Sequence, residues 1–476
     1  MNAEIITIGD ELMRGEIVDS NKARIAERLL LHDLDTRHQV SVLDDPADMR
    51  DAFLRAADRS DFVLVSGGLG PTRDDLTTEV LAETFGRKLE LHEPSLAALE
   101  AFFARVGREM VDANKKQSYF PEEADVLENP IGTAPGFSIR EGRATFFAMP
   151  GVPRELDKMM DEQVLPRIAT RLAAEEEGGS ARRVVRAALL ATFGLGESTL
   201  EEELRDLFQD REDGAVELGF RTSFPDNFLR PVARAATVAA ADAKIAEAVD
   251  AIRERLGPVV YGCSEGDNTN GQADSMESVV GRLLAEREMT VATAESCTGG
   301  LIAERFTDVP GSSAYFLGGV VSYSNEAKAA MLGVPADILE EHGAVSEPVV
   351  RAMAEGARAR FGSDFGVATS GISGPGGGTE DKPVGLVWIA IARDEGTHSD
   401  SFVFQVDRSR HRRLTAQVAL DWIRRSLLGA ELVGPSLLGR GGGGSAPGTT
   451  AESRDSERSG ANPGPSAEEA RSDGSS

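Results

Sequence analysis

Cysteine is nearly missing from this 476-residue chain: Cys263 and Cys297 are its two thiols. Two so far apart give neither a disulfide framework nor zinc-ligand spacing. Histidine is almost as scarce, with six residues scattered singly. That leaves little material for a His-centred metal site or a Ser-His-Asp triad. No apolar run approaches the length of a membrane span. Met1 to Asp10 lacks a basic segment followed by an apolar core, so no secretory signal is expected. A cytoplasmic protein without a membrane partner is the resulting expectation. Positive charge is also in deficit, with 51 Lys and Arg against 79 Asp and Glu and a net charge of -28. The tail from Ser436 onward holds six acidic and four basic residues, so the body carries nearly all of the excess. Such a surface disfavours nonspecific contact with DNA, suits solubility in high salt, and makes a nucleic-acid partner unexpected.

What is present is enough for two or three globular domains, given the length and a hydrophobic content of 41%. The first segment reads strand Glu4 to Ile8, helix to about Leu31, strand Thr36 to Leu43, helix Pro46 to Ala57, strand Phe62 to Val65. That alternation implies a parallel sheet with helices on both faces, whose ligands sit beyond the carboxyl ends of the strands. Two loops fall there: Gly9-Asp10-Glu11 onward, and Ser66-Gly67-Gly68-Leu69-Gly70-Pro71-Thr72-Arg73-Asp74-Asp75. Three glycines let the backbone approach a phosphate or a pterin-like group. Asp74 and Asp75 can hold a divalent metal ion that bridges phosphates. The plainer explanation is a Gly/Pro turn with Asp74 or Asp75 capping the helix that follows.

From about Arg182 the order becomes β-α-β-β-α-β, the ferredoxin-like arrangement, with no catalytic constellation. Pro231 inside its third strand marks that strand as an edge. Glu175 to Gly179 reads as a solvated hinge into this connector. Past Leu438 the chain is Gly-rich and then Ser/Gly/Pro/Glu-rich, which predicts a disordered tail over 438–476.

The third segment turns on Ala294-Glu295-Ser296-Cys297-Thr298-Gly299-Gly300, a small-residue turn between a strand and a helix. Two further strands end in Ser322-Tyr323-Ser324-Asn325-Glu326-Ala327-Lys328 and in Ser370-Gly371-Ile372-Ser373-Gly374-Pro375-Gly376-Gly377. Loops leaving strand ends can converge on one pocket, and these suit an amidase without histidine. Ser296 would be the nucleophile and Lys328 its base, with a pKa lowered by burial and by the start of a helix. Tyr323 would relay the proton or donate to the leaving group. Amides at the helix start, with Thr298 and Gly299, would meet the developing oxyanion. Gly374, Gly376 and Gly377 would wrap a phosphate, and Arg410 would pair with it. Cys297 adjoins Ser296 and is intrinsically the better nucleophile, although neighbours in a turn seldom point the same way. Judged singly, each residue is explained by capping, a turn or a solvated surface.

The set is more specific than its members. GDELMRGEIVDSN, SGGLGPTRDDLT, Asn129-Pro130-Ile131-Gly132-Thr133-Ala134-Pro135-Gly136-Phe137 and Met149-Pro150-Gly151-Val152-Pro153 occur in that order. Together they resemble the amino-terminal half of the CinA (competence/damage-inducible protein A) family, which looks like molybdopterin-binding domains. AESCTGG, GGVVSYSNEAKAAMLGV, SGISGPGGGTEDKPVGLV and Asp407-Arg408-Ser409-Arg410 resemble its carboxy-terminal half, similar to stand-alone nicotinamide-nucleotide amidases.

The resemblance implies an α/β protein in four parts. These are an α/β/α sandwich over 1–168, a ferredoxin-like α+β connector over 180–263, an α/β amidase domain over 272–432, and the tail. For the first part it implies metal-dependent ADP-ribose pyrophosphatase activity. Gly67, Gly68, Gly70 and Thr72 would contact phosphate, Glu11 and Asn21 would line the pocket, and Asp74 or Asp75 would serve a divalent cation. For the third part it implies removal of the amide from nicotinamide mononucleotide without a cofactor. Ser296, Lys328 and Tyr323 would act on the bond, and Ser370 would meet the substrate. A homodimer is implied as well. The rival reading is a non-enzymatic nucleotide- or pterin-binding protein linked to competence or DNA damage.

Overall fold

The computed structural model describes residues 1–176, 183–208, 216–264 and 273–436. Glu177 to Gly179 of the expected hinge, the expected boundaries at 180, 272 and 438, and the expected tail lie outside them.

The first segment builds β1 (Asn2–Ile8), β2 (Asp35–Val42) and β3 (Phe62–Ser66). A short ribbon follows, β4 (Leu89–Leu91) with β5 (Tyr119–Pro121), and then β6 (Asp125–Leu127), β7 (Gly136–Glu141) and β8 (Ala144–Met149). Its helices are α1 (Asp10–Met13), α2 (Ser20–Leu31), α3 (Pro46–Arg59), α4 (Thr77–Thr84), α5 (Glu93–Arg105), α6 (Pro153–Met159) and α7 (Leu165–Glu176). Asp19 and Asp45 start α2 and α3 by accepting backbone N–H groups of the first turn.

The sheet order is β2-β1-β3-β8-β7-β6. Its first three pairings are parallel and its last two antiparallel, so the sheet is mixed where the first strands implied a parallel one. The cause is the tight β7–β8 hairpin, which turns at Gly142 with φ 56. Strand periodicity splits the core. Ile6, Val63 and Val65 pack with Phe53 and Leu81 on one face, while Ile5, Phe62 and Leu64 pack with Ile25, Leu29 and Leu156 on the other. That is the α/β/α sandwich.

The connector contains β9 (Val184–Ala187), β10 (Leu189–Thr192), α8 (Glu197–Phe208), β11 (Glu217–Ser223), β12 (Asp226–Ala235), α9 (Val238–Leu256) and β13 (Val260–Ser264). The order β11-β12-β10-β13 with antiparallel pairing is the ferredoxin-like sheet. Pro231 lies on β12, which is central and not the expected edge. Its missing N–H faces Ala188, the residue that separates β9 from β10, and Ala188 N–H still donates to the Pro231 carbonyl.

The third segment runs α10 (Met276–Glu286), β14 (Val291–Glu295), α11 (Leu301–Thr307), β15 (Phe316–Val321), α12 (Asn325–Leu332), α13 (Ala336–His342) and α14 (Glu347–Phe361). It ends with β16 (Phe365–Gly371), β17 (Leu386–Arg393), β18 (Gly396–Val403) and α15 (Arg408–Leu428). In the order β15-β14-β16-β17-β18 the first three strands are parallel, so their carboxyl ends lie side by side. The last strand, β18, begins at Gly396 and pairs in a hairpin with β17.

The connector shares core with both neighbours. Leu30 and Leu31 of α2 pack on Val185, Ala187 and Val232. Ala191, Phe193 and Tyr261 belong to the same apolar cluster as Val280, Phe306 and Trp422 of the third segment. No helix among the described residues is long and apolar enough to cross a membrane.

Gly67 holds φ 114, and a Cβ there would collide with the Ile8 carbonyl across the β1–β3 pair. Gly67→Ala is therefore expected to destabilise the first domain by about 1–3 kcal/mol. A urea midpoint equal to that of the wild type would contradict this close approach.

Candidate functional site

At the first sheet, Ser66 pairs with Thr7 on one side and Met149 on the other, which brings the loops after β1, β3 and β8 together. They surround a cavity of about 580 Å³ that Glu11, Gly67, Gly68, Gly70, Asp74 and Asp75 help to line. Asn21 is buried beneath it, donating to Ser66 Oγ at 3.0 Å and to the Gly151 carbonyl at 2.8 Å, so it ties loops together and is not a wall. Thr72 also stays off the wall; its N–H donates to Asp75 at 2.8 Å and its hydroxyl bonds the same carboxylate oxygen. Neither Asp74 nor Asp75 caps α4, whose N-cap is Leu76 without a side-chain bond.

The sequence reading missed Asp44 and Glu155, which complete a lining of five carboxylates and no basic side chain. Burial pushes the Asp44 carboxyl above its ordinary range, and the like charges of Asp10, Glu11 and Asp74 add to this, against the Asp10 backbone N–H that it accepts. Hydrogen bonding by Thr72 keeps the exposed Asp74 carboxyl low. Among the described residues, no three acidic, His or Cys groups stand close enough to hold an ion alone. The donor chemistry nevertheless fits a hard cation bound through one or two carboxylates together with the phosphates of a ligand. An anionic ligand in an all-acidic cavity needs that counter-charge.

At the third sheet, the ends of β14, β15 and β16 present the three loops seen in the sequence. Lys328 is fully buried on the first turn of α12, which Ser324 caps. Its Nζ lies 3.1 Å from Ser296 Oγ and 2.7 Å from the Ser322 carbonyl. Desolvation lowers its pKa from the ordinary 10.5. No salt bridge to Lys328 forms among the described residues. A neutral amine can donate to Ser322 and offer its lone pair to the Ser296 hydroxyl, which is the arrangement of a base beside its nucleophile.

Cys297 is buried in the apolar core, and desolvation raises its thiol to about 12. The rival nucleophile is thereby kept protonated and turned inward.

The other expected residues divide. Gly299 lies exposed at the turn with φ 64, and Gly374 and Gly377 bend their loop at φ 73 and 90, with Gly376 and Gly377 exposed. Thr298 is not open to a substrate: its buried hydroxyl bonds Thr369 at 2.8 Å. Ser370 is buried too, donating to the Ala344 carbonyl at 2.6 Å. Tyr323 is 65% exposed, and its hydroxyl accepts from Arg408 at 3.3 Å; it is not in hydrogen-bond contact with Ser296 or Lys328.

Two expectations are corrected outright. The amides of Gly300, Ile302 and Ala303 are taken by the buried Glu295 carboxylate at 2.9–3.1 Å, and that of Gly299 by the Ser296 carbonyl. The start of α11 therefore does not offer them to an oxyanion. Arg410 points away from the glycine loop, with its guanidinium 5.4 Å from the Phe224 ring centre. The helix begins at Arg408 and is capped by Asp407. Residues 408 and 412 consequently share one face and 410 and 413 another. Arg408 bonds the Gly374 carbonyl at 2.9 Å, and Arg412 grips the Thr298 carbonyl at 2.7 and 3.1 Å. The Asp407 N-cap was the signal that could have set the helix start, and Glu295 stood openly beside Ser296.

A family model described as a probable molybdopterin binding domain matches residues 4–170. One described as the damage-inducible protein CinA KH domain matches 188–262, and one described as the CinA C-terminal domain matches 273–427. A CinA-like protein of Geobacter sulfurreducens is 44% identical over 430 residues, 90% of this chain and 100% of that protein. One of Geobacter metallireducens is 42% identical over 428 residues, with shares of 90% and 100%. A crystal structure of competence/damage inducible protein CihA from Agrobacterium tumefaciens is 38% identical, covering 33% of this chain and 97% of that one at a TM-score of 0.31.

Glu295→Ala would orphan three amides beside the nucleophile. A loss of about 2–4 kcal/mol in the unfolding free energy of the third domain is expected. Denaturant titration of the variant checks it, and an unchanged midpoint would exclude the brace.

Proposed function

Because the chain belongs to the CinA family, we propose that its third domain is an amidohydrolase that converts nicotinamide mononucleotide to the acid and ammonia. The observation that carries this reading is the buried Lys328 amine 3.1 Å from Ser296 Oγ. Ser296 Oγ attacks the carboxamide carbon while Lys328 takes its proton. The attack places negative charge on the carbonyl oxygen of a tetrahedral intermediate. Ammonia leaves with the proton returned by Lys328, and water attacks the acyl-Ser296 ester by the same route, releasing the carboxylic acid. Arg408, beside Tyr323 and the Gly374–Gly377 loop, supplies the charge for the nucleotide phosphate.

The first domain is proposed to cleave a pyrophosphate such as that of ADP-ribose. Asp74 or Asp75, together with the phosphates of the ligand, would hold a divalent cation, which would offset the acidic walls and polarise the phosphates. The Gly67 to Gly70 loop brings backbone close to the ligand, and its open backbone fits a pterin as well.

Ser296→Ala is expected to lower ammonia release by about 10³-fold or more. In the wild type the active form of Lys328 is neutral, so the rate should fall as pH drops through its pKa, with a midpoint below 10.5. A flat pH profile, or ammonia release that survives Ser296→Ala, would sink the Ser–Lys assignment. For the first domain, ADP-ribose turnover should require added magnesium or manganese and vanish in Asp74→Asn. Turnover in excess chelator would exclude the cation.

A further inference from the structure

The turn between β11 and β12 belongs to the connector, yet its contacts lead into the third-domain site. The Phe224 carbonyl accepts from Arg413 at 2.7 Å, and its ring lies 5.4 and 6.0 Å from the guanidinium carbons of Arg410 and Arg413. One residue beyond Pro225, Asp226 accepts from Gln417 at 2.6 Å. Gln417 in turn accepts from Arg305 of α11, which also bonds Glu277 at 2.6 Å. Phe224 packs on the apolar cluster that the connector and third domain share.

These contacts seize one face of the first turns of α15. The opposite face carries Arg408, which holds Gly374 and Tyr323, and Arg412, which holds the carbonyl of Thr298 in the Ser296 turn. Residues 410, 413 and 417 on one side and 408 and 412 on the other are rigidly linked by a single helix, so a force on the first face sets the second.

We propose that the β11–β12 turn is a positioning element of the third-domain site, with Phe224 setting the α15 start that aligns the Ser296 turn and the glycine loop. Phe224 touches no reacting group; it acts through Arg408 and Arg412. Only the kinetic part of its test rests on the amidohydrolase reading.

The test uses the full chain with Phe224→Ala, Phe224→Tyr and Arg413→Ala, the last removing the grip from an exposed residue in case the first variant fails to fold. Amide hydrogen exchange is followed by peptide, alongside ammonia release from nicotinamide mononucleotide. Phe224→Ala and Arg413→Ala are expected to speed exchange over 297–300 and 373–378 by about tenfold while β17 and β18 stay unchanged. Phe224→Tyr, which keeps the ring, should match the wild type. Ammonia release should fall about tenfold in the first two variants through kcat and KM together, since both the nucleophile turn and the phosphate side are loosened. Unchanged exchange at both loops, or acceleration spread evenly over the third domain, overturns the proposal. A wild type that releases no ammonia removes the amidohydrolase reading and leaves exchange to decide this one.

Discussion

A fully buried lysine with no carboxylate partner among the described residues is the constraint on which the third domain turns. Holding an ammonium in such a place costs several kcal/mol, so the protein favours the neutral amine. Among the described residues, Lys328 Nζ bonds the Ser322 carbonyl and Ser296 Oγ. The first orients the amine, and the second receives its lone pair. Burial, which destabilises the charged form, thus leaves an amine able to accept a proton in a chain almost without histidine. The same desolvation works in reverse on Cys297, whose thiol stays protonated although it is next in sequence.

Keeping that geometry requires the turn after β14 to be stiff. Glu295 closes it from inside by accepting three amides at the start of α11, and Arg412 closes it from outside through the Thr298 carbonyl. The first domain uses a different balance. Its cavity is walled by carboxylates and built on close backbone approach, so an anion there would need a counter-charge. The two sites share no residue. What joins their domains is the connector, packed on α2 at one end and on α10, α11 and α15 at the other.

Much of this was legible in order along the chain. Period-two apolar runs, Asp and Ser caps and Gly-rich strand ends located the first three strands of the first sheet, most strands of the other two sheets and all three loops of the third domain, but not β4 to β8. The mixed character of the first sheet was not legible, because β7 and β8 give the same apolar signal whichever way they run. Pro231 misled for a related reason. A missing N–H excludes a continuous ladder but not a central strand, and here the neighbouring strand breaks opposite it.

The amino-acid sequence by itself determined the α/β architecture, the strand-end loops, and the Ser296 and Lys328 pairing as the chemistry to look for. Only the tertiary structure decided which groups face the site. Arg408 and Arg410 stand about half a turn apart on α15, so the face that meets the glycine loop takes Arg408 and turns Arg410 toward Phe224. Whether an amide is free for an oxyanion depends on every acceptor around it, and Glu295 had claimed those at the helix start. Side-chain direction and hydrogen-bond satisfaction are properties of the assembled fold, and spacing along a chain does not carry them.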